Sequence, residues 1–180
     1  DVSGVFGDEW GEWPRAISLA MALSVEDLRD VRLGGPTPAY YDAYLTTNDR
    51  LNRVAREVAK GIHRLGYRAR SFPATLSGAE LHVELGADLA APVSHKAVAT
   101  RAGLGWIGRS GLLVTNALGP RVRLASVFTD MPLPVAAPVI AGQCGACMRC
   151  VEACPAGAIH GNAWQQGAPR EDLVDAHACR

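Results

Sequence analysis

Cys144, Cys147, Cys150 and Cys154, with Pro155 directly after, stand in the spacing C-x2-C-x2-C-x3-C-P. Thiolates two residues apart on a tight turn converge on the corners of a [4Fe–4S] cubane while intervening backbone N–H groups point at its sulfurs, and this run is one that carries such a cluster. Gly145 and Ala146 are small enough to permit the turn. Pro155 ends the short helix expected from Met148 to Cys154, and Gly157 and Ile159 follow as a bend and an apolar lid. Two other uses of cysteine fit the pattern less well. Zinc normally takes cysteine pairs from two separated knuckles, and disulfides leave an odd residue among five cysteines. The chemistry implied is electron transfer.

Cys179 adds a question of ligand arithmetic. In two-cluster arrangements the fourth cysteine of the run serves the other cluster, which assigns Cys144, Cys147 and Cys150 to one site and Cys154 with Cys179 to a second. Two clusters of four thiolates each need more than the five cysteines present. Either further ligands lie beyond Arg180, or one cluster takes Cys154 or Cys179 as its last ligand. The chain opens at Asp1 without Met and closes immediately after Cys179, so the expectation here is a truncated sequence.

Elements able to position these thiols can be read along the rest of the chain. With 180 residues, 48% of them hydrophobic and 20% charged, the chain can bury a core. Eighteen basic residues balance eighteen acidic ones, so net charge directs it neither to nucleic acid nor to an anionic membrane. No apolar run reaches membrane-spanning length, and the acidic, aromatic stretch from Phe6 to Trp13 is unlike a secretory signal. Cysteines committed to a cluster fit a reducing cytoplasm.

Arg15 to Leu23 reads as a buried strand, and Ser24 caps a brief helix through Leu28 and Val31. Gly34, Gly35, Pro36 and Pro38 make a loop. From Tyr40, apolar residues at Tyr41, Tyr44, Leu51, Val54, Ala55, Val58, Ile62 and Leu65 keep helical spacing until Gly66. Strand alternation follows over Tyr67 to Phe72 and, more cleanly, over Arg121 to Phe128, with Leu112 to Thr115 as the hairpin partner of the latter across Asn116 to Pro120. Between them Ser94 caps a helix from His95 to Ala102, stopped by Gly103. Met131 to Pro138 is a proline-rich link to the cysteines. Strands interspersed with helices and a hairpin indicate an α+β body with mixed or antiparallel pairing.

Gly103, Gly105 and Gly108 satisfy G-x-G-x-x-G, yet a dinucleotide site needs a strand before the glycines and a helix after them. The order here is reversed. The alternatives are a loop whose glycines let the backbone approach something bulky, with Trp106 and Ile107 as an apolar wall and Arg109 as an anchor, or a tight turn at a domain seam.

The segment Ala102-Gly-Leu-Gly-Trp-Ile-Gly-Arg109 resembles the A-G-L-G-W-I-G-K loop of the epoxyqueuosine reductases, a family related to cobalamin-dependent reductive dehalogenases. The order of parts is similar too: a hairpin, a strand ending in Thr129-Asp130, Leu133-Pro134, then C-G-x-C-x-x-C-x-x-A-C-P-x-G-A-I from Cys144 to Ile159. Val174 to Cys179 also resembles the L-D-A-R-R-C that opens the family's second cluster motif. The resemblance is strong from about Ser94 to Cys179 and thin before it. It implies a nitroreductase-like body over residues 1–133, binding base-off cobalamin through Gly103, Leu104, Gly105, Trp106, Ile107, Gly108 and Arg109. A ferredoxin-type segment over residues 134–180 then holds one or two clusters through Cys144, Cys147, Cys150, Cys154 and Cys179.

The family's proton-donating Asp, in V-D-S-A-P, aligns with Leu89; Asp88 lies one residue away, and the family's Glu becomes His95, next to Lys96. A histidine titrates near neutrality and is a chemically adequate proton source, or His95 and Lys96 only decorate the first turn of a helix. Asp88, His95 and Lys96 are thus the catalytic candidates. The missing acid puts tRNA in doubt as substrate. Asp175 and His177 lack the Gly of a D-x-H-x-x-G cobalt-ligand motif, and His177 reads as ordinary structure.

The expected function is an iron–sulfur oxidoreductase taking electrons from an external donor and passing them through cobalamin to an unidentified small molecule or modified nucleoside. A ferredoxin-type module serving a partner redox enzyme, a flavin reductase, and a reductive activator of a corrinoid protein are the alternatives.

Overall fold

The computed structural model describes residues 2–29, 31, 36–75 and 91–179. They divide into two compact units, Asp1–Val98 with Arg121–Pro134, and Ala99–Pro120 with Val135–Arg180. The glycine segment groups with the cysteines in the second unit.

In the first unit, β1 (Arg15–Ala22), β2 (Ala69–Phe72) and β5 (Val122–Thr129) form an antiparallel sheet in the order β1-β5-β2. Its central strand is buried from Leu124 to Thr129. Strand period two sends successive side chains to opposite faces. Ala125 and Val127 accordingly pack in a cluster with Leu51, Ala55, Ala59 and Ile62 of the long helix, Pro38–Arg64. Phe128 joins Trp13, Val93 and Val98 in another. Phe128 also meets Phe6, Trp10 and Phe72 at ring-centroid distances of 5.7, 5.5 and 4.7 Å. Full burial of each large apolar side chain contributes roughly 1.5–3 kcal/mol.

Local signals set the element ends. Thr37 Oγ1 accepts the Tyr40 N–H at 3.1 Å, and Pro38 occupies the first helical turn, where its missing N–H costs nothing. Pro38 therefore starts the long helix rather than belonging to the loop expected there. Ser24 Oγ caps Val25–Leu28 through the Asp27 N–H at 3.0 Å. Gly34 and Gly35 lie outside the described residues. The family-like Thr129-Asp130 pair has structural partners: Thr129 Oγ1 donates to the Arg68 carbonyl at 2.7 Å, and Asp130 accepts from Arg68 N–H and Nε, both at 2.8 Å.

The second unit corrects the hairpin assignment. β4 (Leu113–Thr115) pairs not with residues 121–128 but with β3 (Gly105–Ile107), in the register Gly105↔Thr115, Trp106↔Val114 and Ile107↔Leu113. The supposed loop is thus half strand. Gly108 N–H donates to the Leu112 carbonyl at 2.8 Å and Gly111 N–H to the Gly108 carbonyl at 2.9 Å, closing the turn inside the glycine run. Residues 121–128 are taken up by β1 and β2 instead, because a strand buried on both faces needs two ladder partners to satisfy its backbone.

The link after Pro134 carries no regular element but is tied down: Val139 N–H donates to the Thr100 carbonyl at 2.9 Å and Gly142 N–H to the Trp164 carbonyl at 2.7 Å. Ala158, Trp164 and Leu173 are buried. Among the described residues no helix is long and apolar enough to cross a membrane.

Candidate metal centre

The cysteine run folds as a turn and a single helical turn. Cys147 N–H donates to the Cys144 carbonyl at 3.1 Å, and Gly145 between them takes φ +55° with open space where a Cβ would stand. Arg149–Glu152 is helical, and Cys154 N–H closes on the Val151 carbonyl at 3.2 Å. Pro155 then stops the helix. Cys144, Cys150 and Cys154 are half-buried, Cys147 and Cys179 are exposed, and all five thiols are free.

Cys154 carries the clearest signature of a ligand. Its thiol is held below the usual range chiefly by the Ala158 backbone N–H, opposed by burial and reinforced by those of Ala156, Ile159 and Gly157. Such a fan of N–H donors stabilises a thiolate and is the hydrogen bonding that tunes iron–sulfur sites. The donor set therefore fits a [4Fe–4S] cluster. Among the described residues no three His, Cys, Asp or Glu side chains close on a point that one metal ion could fill. A cubane binds through separate irons, so its thiolates need no common centre.

Past Pro155, Ala158 is buried and Ile159 half-buried. Around Cys179, Asp175 Oδ1 accepts the N–H groups of His177 and Ala178, each at 2.9 Å, and Cys179 N–H donates to the Asp175 carbonyl at 3.1 Å. Those backbone bonds, Ala178 first, depress the Asp175 carboxyl.

The glycine hairpin sits in the same unit, and its glycines are required from within. A Cβ on Gly105 would lie 2.0 Å from the Val114 carbonyl oxygen, one on Gly103 2.8 Å from that of Ala137, and those on Gly108 and Gly111 2.9 Å from methyls of Val114 and Val174. These contacts account for the run as close packing, without an external group pressed against the backbone. Leu104 N–H returns to the Ala99 carbonyl at 3.0 Å. Ile107 is buried, and the buried Trp106 Nε1 has no partner among the described residues.

Arg109 supplies a connection that sequence reasoning missed. One guanidinium nitrogen donates to the Gly161 carbonyl and the other to the Gly145 carbonyl, the latter at 2.7 Å. Beside it lies a cavity of about 160 Å³ lined by Ile107, Arg109, Gly142, Cys144, Gly145 and Trp164 among others. The Arg at the end of the glycine segment was the available signal. Its partners are backbone carbonyls, which leave no trace in side-chain identity.

His95 belongs to the first unit. Its Nε2 lies 2.8 Å from the Pro73 carbonyl, so Nε2–H is the donor there, and Nδ1, 2.8 Å from Ser126 Oγ, accepts the hydroxyl proton. Burial pushes its pKa down, with Arg123 acting in the same direction against the Pro73 hydrogen bond. The ring is therefore neutral, with both nitrogens engaged. Lys96 is half-buried on the same helix, His95–Arg101. Asp88 and Leu89 lie outside the described residues.

Residues 137–160 match the 4Fe-4S binding domain family. The epoxyqueuosine reductase of Pseudomonas aeruginosa is 33% identical over 155 residues, 82% of this chain and 38% of that protein. That of Aliivibrio fischeri is 30% identical over 154 residues, 82% of this chain and 34% of that one. The chain thus spans little over a third of the length of these relatives. Among solved structures, a catabolic reductive dehalogenase gives a TM-score of 0.63 at 25% identity, covering 80% of this chain and 19% of its own. Another, described as suggesting a mechanism for B12-dependent dehalogenation, gives 0.63 at 24% identity over 79% and 19%. The resemblance read from the glycine segment and the cysteine run extends over most of the chain.

Proposed function

We propose that this chain, a relative of the epoxyqueuosine reductases, is the electron-delivering part of a reductase. Cys144, Cys147, Cys150, Cys154 and Cys179 would hold one or two [4Fe–4S] clusters fed by an external donor, and the segment from Gly103 to Arg109 would hold a cobalamin. The observation that carries this reading is the presence of glycine hairpin and cysteine turn in one compact unit, joined by the hydrogen bond from the Arg109 guanidinium to the Gly145 carbonyl. Cobalamin, when bound, supplies a reducible cobalt that the protein's own side chains cannot replace. The buried Trp106 Nε1–H, without a partner among the described residues, is a donor that such a group could accept from.

The first unit then serves as a nitroreductase-like α+β body. His95, neutral and held at both nitrogens, acts there as a positioning group, which leaves Asp88 and Lys96 as proton-source candidates. The substrate is a small molecule or a modified nucleoside; balanced charge lends tRNA no support. A reducing cytoplasm suits the free thiols.

Anaerobic reconstitution of the full-length protein with iron, sulfide and cobalamin tests this directly. Retained corrinoid with base-off absorbance is expected; iron–sulfur content without any corrinoid would remove cobalamin and leave a second reading. In that reading the chain is a ferredoxin-type module for a partner enzyme. The cavity beside Cys144 favours it, since about 160 Å³ is below the roughly 300–1,000 Å³ usual for a small-molecule pocket.

A further inference from the structure

We infer that Arg109 is a positioning residue for the iron–sulfur cluster, clamping the first C-x2-C turn to the segment beyond Ile159 and setting the cluster's potential with its fixed charge. This rests on the cysteine run holding a cluster and goes beyond it, because it concerns a residue that is no ligand.

Gly145 lies inside the first C-x2-C, so its carbonyl belongs to the peptide unit midway between the Cα atoms that carry the Cys144 and Cys147 thiols. Gly161 lies two residues past Ile159. One guanidinium reaches both carbonyls, and only its planar fork offers two donors in fixed relative geometry; an ammonium is a single point of charge. The third nitrogen, Nε, is buried without a partner among the described residues, and Arg109 and Cys144 line the same cavity. The base of the fork comes from the turn of the β3–β4 hairpin, whose register is locked by the close approach of Gly105 to Val114. A rigid element thus holds a permanent positive charge against the ligand turn. Positive charge near a cluster favours its reduced, more negative form, and charge is among the levers that set cluster potentials.

The test uses the anaerobically reconstituted chain as wild type, Arg109→Gln and Arg109→Lys, with iron and sulfide content, an EPR-monitored redox titration and the rate of cluster loss in air. Loss of the charge in Arg109→Gln should shift the reduction equilibrium about tenfold toward the oxidised form, a fall of about 59 mV for one electron. Arg109→Lys keeps the charge and one bond, so its reduction equilibrium should stay within about twofold of wild type while its cluster is lost several-fold faster. Wild-type potential in a cluster-loaded Arg109→Gln overturns the charge role. Should Arg109→Gln fail to fold, Arg109→Lys decides: wild-type cluster lifetime in it overturns the clamp, and faster loss upholds it. Absence of iron from wild type itself would instead defeat the cluster assignment on which the inference stands.

Discussion

Replacing Gly105 by Ala probes the hairpin that links glycine run to cysteine turn. The added Cβ would meet the Val114 carbonyl oxygen at 2.0 Å, its carbon at 2.8 Å and Thr115 Cα at 3.1 Å. All three are backbone atoms of the paired strand, so no side chain can swing aside and the ladder itself must open. Overpacking in a well-packed site costs about 1–3 kcal/mol; with only backbone to yield, about 3 kcal/mol is the expectation. Gly119→Ala is the control. Gly119 has φ +61° and nothing within 4 Å of its ideal Cβ, so only the left-handed penalty applies, about 1–2 kcal/mol. At about 2–4 °C per kcal/mol for a chain of this size, thermal unfolding followed by circular dichroism should fall about 6–12 °C for Gly105→Ala and less than about 8 °C for Gly119→Ala. A midpoint for Gly105→Ala within about 2 °C of wild type, or a larger loss for Gly119→Ala, refutes the register Gly105↔Thr115.

Phe128→Ala removes a fully buried ring packed against three aromatic side chains, and denaturant unfolding should register a loss of about 3–5 kcal/mol. His95 makes stability depend on pH with a definite sign. Its native pKa lies below the unfolded value of about 6.5, so between the two the unfolded chain binds the proton that the native protein refuses. Stability is then complete above about pH 6.5 and falls as pH drops toward the native pKa. His95→Gln should flatten the slope of unfolding free energy below about pH 6.5, and an unchanged slope would contradict the neutral ring held at both nitrogens.

The cysteine run announced its chemistry in the sequence because thiolate spacing along a short turn is a local property: Cys144 to Cys154 lie within eleven residues of each other whatever the rest does. The long helix was equally legible, since the period of Leu51, Ala55 and Ile62 encodes one buried face and Gly66 follows its end; its start at Pro38, capped by Thr37, was not. Strand pairing was not. Residues 112–115 and 121–128 each alternate convincingly, but alternation gives a face and says nothing of a partner. Burial on both sides of β5 committed it to β1 and β2, and the glycines of 103–111 turned the chain back to give β4 a nearer mate. Arg109 shows the same limit at the site. The sequence determines that a guanidinium ends the glycine run, whereas its acceptors, Gly145 and Gly161, lie 36 and 52 residues away as backbone carbonyls. Backbone acceptors are chemically identical in every residue, so only the folded path of the chain decides which ones a charged side chain meets.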